Sequence, residues 1–202
     1  MMRGHEVWDR DRVTHYVETY GKPNDRVDCI KKDETVYVNR VDAASMRMGE
    51  TVLDVACGIG HLAALLPCQG YRGLDNSRDM VEAAKRFFPA MSFTLGDVYD
   101  LSGHEAADTV YALYLLIHLP DMEKPLNQLW GRARKALIFN LPIHSDAKVS
   151  TQRIKDKTLI YHPYTWSETM KHISNLTKVG SVTVKWKPNL EGTNAIIKVT
   201  RQ

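Results

Sequence analysis

Cysteine is scarce in this sequence: 202 residues hold three, Cys29, Cys57 and Cys68. An odd, scattered set excludes a disulfide framework and a Cys-x-x-Cys zinc site as organising devices. A reduced, cytoplasmic compartment is the expectation. Long apolar runs are missing too. None reaches the ~18 residues of a membrane span. The opening MMRGHEVWDRDR has no apolar segment of the kind a secretory leader needs, so no leader is expected. There is no internal repeat and no low-complexity tract. What remains is globular composition, 44% hydrophobic and 25% charged, at a length that suits one domain or one domain with a short appendage.

Net charge is +3, and its distribution says more than its sum. Residues 1–48 carry nine basic and nine acidic side chains, and residues 49–141 carry eight and eleven. Residues 142–202 carry ten and four, a surplus of six positive charges. A basic final third suits an anionic substrate or partner, although a solvated lysine-rich surface accounts for it more simply.

Residues 1–48 read as a weakly patterned helical cap, with one helix over Glu6 to Tyr20 and a second from about Glu34 to Met46. From residue 49 to 202 the pattern sharpens into a second unit. The run Thr51 to Ala56 reads as a buried strand. Cys57-Gly58-Ile59-Gly60 and a helix carrying Leu62, Leu65 and Leu66 follow. Tyr71 to Leu74 reads as a second strand, closed by Asp75, and Ser77 is placed to cap the next helix. Further strands are predicted over Met91 to Leu95, Thr109 to Leu116, and Lys135 to Leu141, the last stopped by Pro142. A helix between Asp121 and Arg134 separates the last two. Thr165-Trp-Ser-Glu168 is a capping box. Gly180 to Lys187 and Asn194 to Thr200 form a closing antiparallel hairpin across a six-residue connection. The predicted fold is α/β: a doubly wound, Rossmann-like sheet of seven strands in an αβα sandwich, mostly parallel with a C-terminal antiparallel hairpin.

The chemistry concentrates at the strand tips. In Val52 to Ala63 a strand enters a glycine turn and the turn enters a helix, and Gly58-x-Gly60-x-x-Ala63 satisfies a loose dinucleotide pattern. Asp75, 21 residues after Asp54, ends the second strand, where an acid can accept from ribose hydroxyls. Asp97 follows the third. In an open parallel sheet ligands bind outside the carboxyl ends of the strands, so Asp54, Asp75 and Asp97 are expected to face one crevice. A P-loop is excluded, because no Lys-Ser/Thr follows Gly60.

The segments VLDVACGIGHL (52–62), GLDNS (73–77), GDVYDL (96–101) and ADTVYALYLLIHLPD (107–121) resemble those of class I S-adenosylmethionine-dependent methyltransferases of the small-molecule type. The resemblance covers about residues 50–200. Two departures stand out: Ala56 where the family usually has glycine, and Arg132-Ala-Arg134-Lys135 in place of a Pro-Gly-Gly turn. The resemblance implies the cofactor S-adenosyl-L-methionine and a small-molecule acceptor methylated on O, N or C. It further implies that Asp54, Ala56, Gly58 and Gly60 hold the cofactor's methionine part. Asp75 would hold the ribose, with Asn76 beside it and Met80 against the adenine. Asp97 and the Val98 backbone would meet the adenine edge, and Ala112 and Leu113 the methyl side. Tyr16 and Tyr20 are candidates to close over the cofactor.

His118, just past the fourth strand, is the base candidate because imidazole titrates in the useful range; a packing role is the plain alternative. Tyr114 is a candidate wall of the acceptor pocket. His5/His15 and His162/His172 lack neighbours at ligand spacing, so no metal site is expected. The chain after the fourth strand reads Leu-Tyr-Leu-Leu-Ile-His, not the Asn/Asp-Pro-Pro-Tyr type of DNA-base or glutamine methyltransferases, which weighs against a nucleic-acid substrate. The competing readings are an NAD(P)-dependent oxidoreductase, which leaves Asp54 and Asp97 without roles, and a non-catalytic binding module on a methyltransferase fold.

Overall fold

The computed structural model describes residues 11, 13, 14, 17, 18, 34–66, 69–144, 148–154, 157–189 and 192–202. In chain order the elements are α1 (Glu34–Ser45), β1 (Val52–Val55), α2 (His61–Leu65), β2 (Tyr71–Asp75) and α3 (Arg78–Phe87). Then come β3 (Ser92–Leu95), β4 (Ala107–Ala112), a 3-10 turn (Leu116–His118), α4 (Glu123–Arg132) and β5 (Ala133–Ile143). β6 (Ser150–Ile154), β7 (Lys157–Tyr161), α5 (Trp166–Ser174), β8 (Val179–Asn189) and β9 (Gly192–Arg201) complete the chain.

Seven strands form one sheet in the order β3-β2-β1-β4-β5-β9-β8. The first five are parallel, and β9 lies antiparallel to both β5 and β8. Strand side chains alternate between faces, and the core divides accordingly. Leu53, Val55, Val110, Leu137, Phe139 and Ile197 meet Leu126, Leu129 and Trp130 of α4 and Ile173 of α5. Val52, Tyr71, Tyr111, Ile138 and Ile196 meet Ala43 of α1, Leu62 and Ala63 of α2, and Val81 and Ala84 of α3. Three layers result.

Local signals place the helices. The Ser77 hydroxyl accepts from Met80 N at 3.3 Å and starts α3. Thr165 and Glu168 cap α5 reciprocally, as the capping box predicts. The carboxyl-terminal end is tied down: Arg201 donates to the Ala133 and Trp130 carbonyls and lies 4.3 Å over the Trp130 ring.

Four expectations need correction. The fourth strand ends at Ala112 rather than Leu116, because Tyr114 turns to φ +57° and a 3-10 turn follows. Pro142 does not stop β5, which pairs with β9 through Ile143. Beyond Phe139 the strand has lost β4 as a neighbour, and a proline is tolerated where one side needs no ladder bond. The closing hairpin's strands run to Asn189 and from Gly192, so its connection is two residues, not six. No strand is predicted between the fifth strand and the capping box, yet the antiparallel pair β6–β7 forms there.

Candidate functional site

The sheet reverses direction of growth between β1 and β4: β2 and β3 are added on one side of β1, and β4 and β5 on the other. A crevice opens at such a switch point, at the carboxyl ends of the two strands. The glycine turn leaves β1 there, and Leu113-Tyr114 leaves β4 there.

The turn is built from left-handed backbone. Ala56, Gly58 and Gly60 have φ of +63°, +54° and +91°. Alanine is a costly occupant of that region, roughly 1–2 kcal/mol. A Cβ on Gly60 would stand 2.9 Å from the Phe88 ring, whereas a Cβ on Gly58 would meet nothing within 4 Å. Gly58 therefore borders open space, with room for a ligand to approach the backbone.

Two buried carboxyls flank that space. The Gly58 N–H donates to Asp75 Oδ2 at 2.9 Å, tying the β1 turn to the β2 tip. Asp75 Oδ1 accepts from Ser77 N at 2.9 Å. Burial raises the Asp75 pKa, opposed by N–H donors of Ser77, Gly58 and Asn76. Asp54 accepts from the Tyr71 hydroxyl at 2.5 Å. Burial pushes its pKa up to about 7, against the Tyr71 hydrogen bond and the Arg40 charge, with Asp75 adding to the rise. Each carboxylate oxygen retains a further lone pair for a ligand donor. A buried acid raised this far is poised to gain from a cationic or hydroxyl-bearing ligand.

The remaining predicted residues divide. Ala112 and Leu113 are buried at the end of β4. Asn76 is exposed beside Asp75. Met80 is 4% exposed and packs with Val13, Ile59 and Ala83, so Val13 lies against the glycine turn. Asp97 is exposed and accepts from Tyr99 N at 3.0 Å. The Val98 side chain is buried in the α4 face of the core, leaving only its backbone for a ligand. Tyr16 and Tyr20 lie outside the described residues. His118 packs against the Tyr161 ring, 5.1 Å between centroids, with Nδ1 3.4 Å from the Ile160 carbonyl. Burial lowers its pKa to about 4, so it is neutral at pH 7. Tyr114 is half-buried. Its N–H donates to Asn140 Oδ1 at 2.6 Å, its hydroxyl accepts from Asn39 Nδ2 at 2.9 Å, and the Arg40 guanidinium lies 5.4 Å from its ring centre.

Asn39, Arg40, Tyr71 and Asn140 were not among the predicted site residues. Only Asn140 left a trace in the sequence, as an amide inside the apolar run ALIFNLP. Among the described residues no group of three His, Cys, Asp or Glu is arranged to hold a metal, and no helix is long and apolar enough to cross a membrane. A cavity of about 400 Å³ lies at the amino-terminal ends of the strands, away from the glycine turn, bordered by Thr51, Arg72, Ser92, Glu105 and Arg134.

Residues 52–136 match the family described as "Methyltransferase domain". A trans-aconitate 2-methyltransferase of Methylobacterium radiotolerans is 35% identical over 83 residues, covering 39% of this chain and 32% of the relative. The chain spans about a third of the length of the curated relatives it matches. Among solved structures, a DhpI-SAM-HEP complex superposes with a TM-score of 0.69 at 16% identity, covering 100% of both chains. A magnesium protoporphyrin IX methyltransferase from Synechocystis PCC 6803 with bound SAH gives a TM-score of 0.63 at 17% identity, covering 96% of this chain and 100% of the other. At these identities the structural likeness establishes the Rossmann-like fold.

Proposed function

We propose that the chain carries a class I methyltransferase domain and transfers a methyl group from S-adenosylmethionine to a small organic acid; the match of residues 52–136 to a methyltransferase domain and the likeness to methyltransferase folds support this reading. The observation that carries the reading is the pair of buried carboxyls, Asp54 and Asp75, joined across the Gly58 N–H beside open space. Asp75 accepts from the ribose hydroxyls, with Asn76 beside it, and Asp54 faces the cofactor's ammonium group. Ala56, Gly58 and Gly60 let the backbone approach the methionine part. Met80, Asp97 and the Val98 backbone border the adenine, and Ala112 and Leu113 the methyl end. The bound cofactor supplies a methyl group on a positively charged sulfur. The protein's contribution is to hold the acceptor close and aligned.

The acceptor class rests on two supports. Several curated relatives carry the name trans-aconitate 2-methyltransferase, and residues 142–202 carry the surplus of six positive charges. A carboxylate acceptor is already an anion, so no base need remove a proton. His118, neutral and packed under β7, then shapes the acceptor side. Residues 1–48, with Tyr16 and Tyr20, close over the site as a cap, and residues 49–202 form the transferase unit. A cytoplasmic setting without a nucleic-acid partner completes the reading.

Calorimetric titration with S-adenosylmethionine, S-adenosylhomocysteine and NAD tests the cofactor. Transfer of tritium from methyl-labelled cofactor to a panel of di- and tricarboxylic acids, trans-aconitate included, tests the acceptor. Absence of affinity for both adenosyl compounds refutes the assignment; labelling of amines alone refutes the acid acceptor.

A further inference from the structure

Tyr114 is an aromatic residue in left-handed backbone, at φ +57°. Such conformations are unfavourable for bulky side chains and persist where surrounding groups enforce them. Here the enforcement comes from two amides. Asn140 sits in the middle of β5, 1% exposed, in a run that is otherwise apolar. Its Oδ1 accepts the Tyr114 N–H at 2.6 Å, and its Nδ2 donates to Asn194 Oδ1 at 3.4 Å. Asn194, 4% exposed, is its diagonal neighbour on β9, since Asn140 pairs with Ile196 and Asn194 with Pro142. Asn39 of α1, also 1% exposed, holds the other end of Tyr114 through the hydroxyl at 2.9 Å.

A buried amide pair inside a sheet stabilises less than apolar residues of the same shape. The pair earns no obvious packing advantage here, but it sets the backbone of the residue that leaves β4 at the switch point. Tyr114 is thereby fixed at three points: its own strand end, β5 and the helix above the site. Arg40, the neighbour of Asn39, touches the same ring and also bears electrostatically on Asp54.

We infer that Asn39 and Asn140 are positioning residues that act through Tyr114, holding its ring as a wall of the cofactor site and joining that wall to α1. The inference rests on the methyltransferase reading above. It makes affinity fall out of proportion to stability, which a merely structural role does not. Replacing both members of the buried pair, Asn140→Leu with Asn194→Val, removes their mutual hydrogen bond at once, and it takes the acceptor from the Tyr114 N–H, which frees Tyr114 to leave its left-handed backbone. Loss of that one bond opposes release of the strain and of the buried amides, so thermal unfolding of the full chain is expected to show a midpoint within roughly a few degrees of wild type. Calorimetry with S-adenosylhomocysteine is expected to show about tenfold weaker binding, the scale of one well-placed hydrogen bond to a held group. Asn39→Ala and Tyr114→Phe are each expected to weaken binding by a similar factor, and their combination by no more than either alone. These two variants keep the experiment decisive if the β5–β9 variant does not fold. Binding equal to wild type in every variant overturns the inference, as does affinity that falls only in step with the midpoint. Failure of the wild-type chain to bind the probe at all overturns the methyltransferase reading as well, and so is told apart from failure of the positioning argument alone.

Discussion

Replacing Asp54 with Asn is expected to stabilise the fold at pH 8 while weakening cofactor binding. Asp54 is 2% exposed, and burial pushes its carboxyl from the ordinary 3.8 up to about 7. Between those pH values the folded chain keeps a proton that the unfolded chain has released. Stability contributed at this position therefore falls as pH rises through the window and levels off above about 7. A displacement of that size corresponds to about 4 kcal/mol, and relaxation around a buried charge reduces it to roughly 2–4 kcal/mol. Asparagine keeps the shape and the acceptor for the Tyr71 hydroxyl but has nothing to titrate. Urea unfolding followed by circular dichroism at pH 5, 6, 7 and 8 isolates the effect as the difference between the two proteins. That difference is expected to grow with pH in favour of the Asp54→Asn variant. The same variant is expected to lose at least tenfold in S-adenosylmethionine affinity, because a charge-assisted hydrogen bond becomes a neutral one. Parallel stability profiles across the range refute the reasoning, since they mean that Asp54 ionises in the folded chain as it does in water.

His118 has the opposite sign. Burial holds it near 4 in the folded chain, so its contribution is present above the ordinary 6.5 and is lost as pH falls toward 4. The His118→Phe variant is expected to lose about 3 kcal/mol less than wild type between pH 7 and pH 4, read by the same urea titrations. Ala56→Gly removes the left-handed strain at φ +63° at the expense of a more flexible unfolded chain. The net gain is expected to be about 0.5–1 kcal/mol, or roughly 2 °C in the calorimetric midpoint; a lower midpoint refutes the strain argument.

Much of the frame was legible before any coordinates. The β1 to β5 segments show short β-branched or apolar runs spaced by helical ones, because strands buried on both faces tolerate little else. Ser77 and the Thr165–Glu168 box announce their helices because capping is local, satisfied within three or four residues. Asp54, Gly58 and Asp75 were legible for a related reason: each stands at a strand tip, and tips of a parallel sheet share one end. The misread parts are those where a neighbour overrides local pattern. Leu113 to Leu116 looks like strand, yet Asn140, 26 residues away, turns Tyr114 aside. Pro142 looks like a stop, yet β9 continues the ladder past it. The β6–β7 pair was missed because its strands form a separate two-stranded sheet and so carry no long apolar run.

By itself, the sequence determined the order of the elements, the parallel sheet they build and the end of it at which Asp54, Gly58 and Asp75 gather, because periodicity, caps and glycine turns act over a few residues. Tertiary structure alone decided which polar groups meet across that end: Tyr71 with Asp54, Asn39 with Tyr114, Asn140 with Asn194. It also decided how Asp54 ionises. The free energy of a buried charge or amide is set by desolvation and by partners 17 to 75 residues away along the chain, and neither is present until the chain has folded.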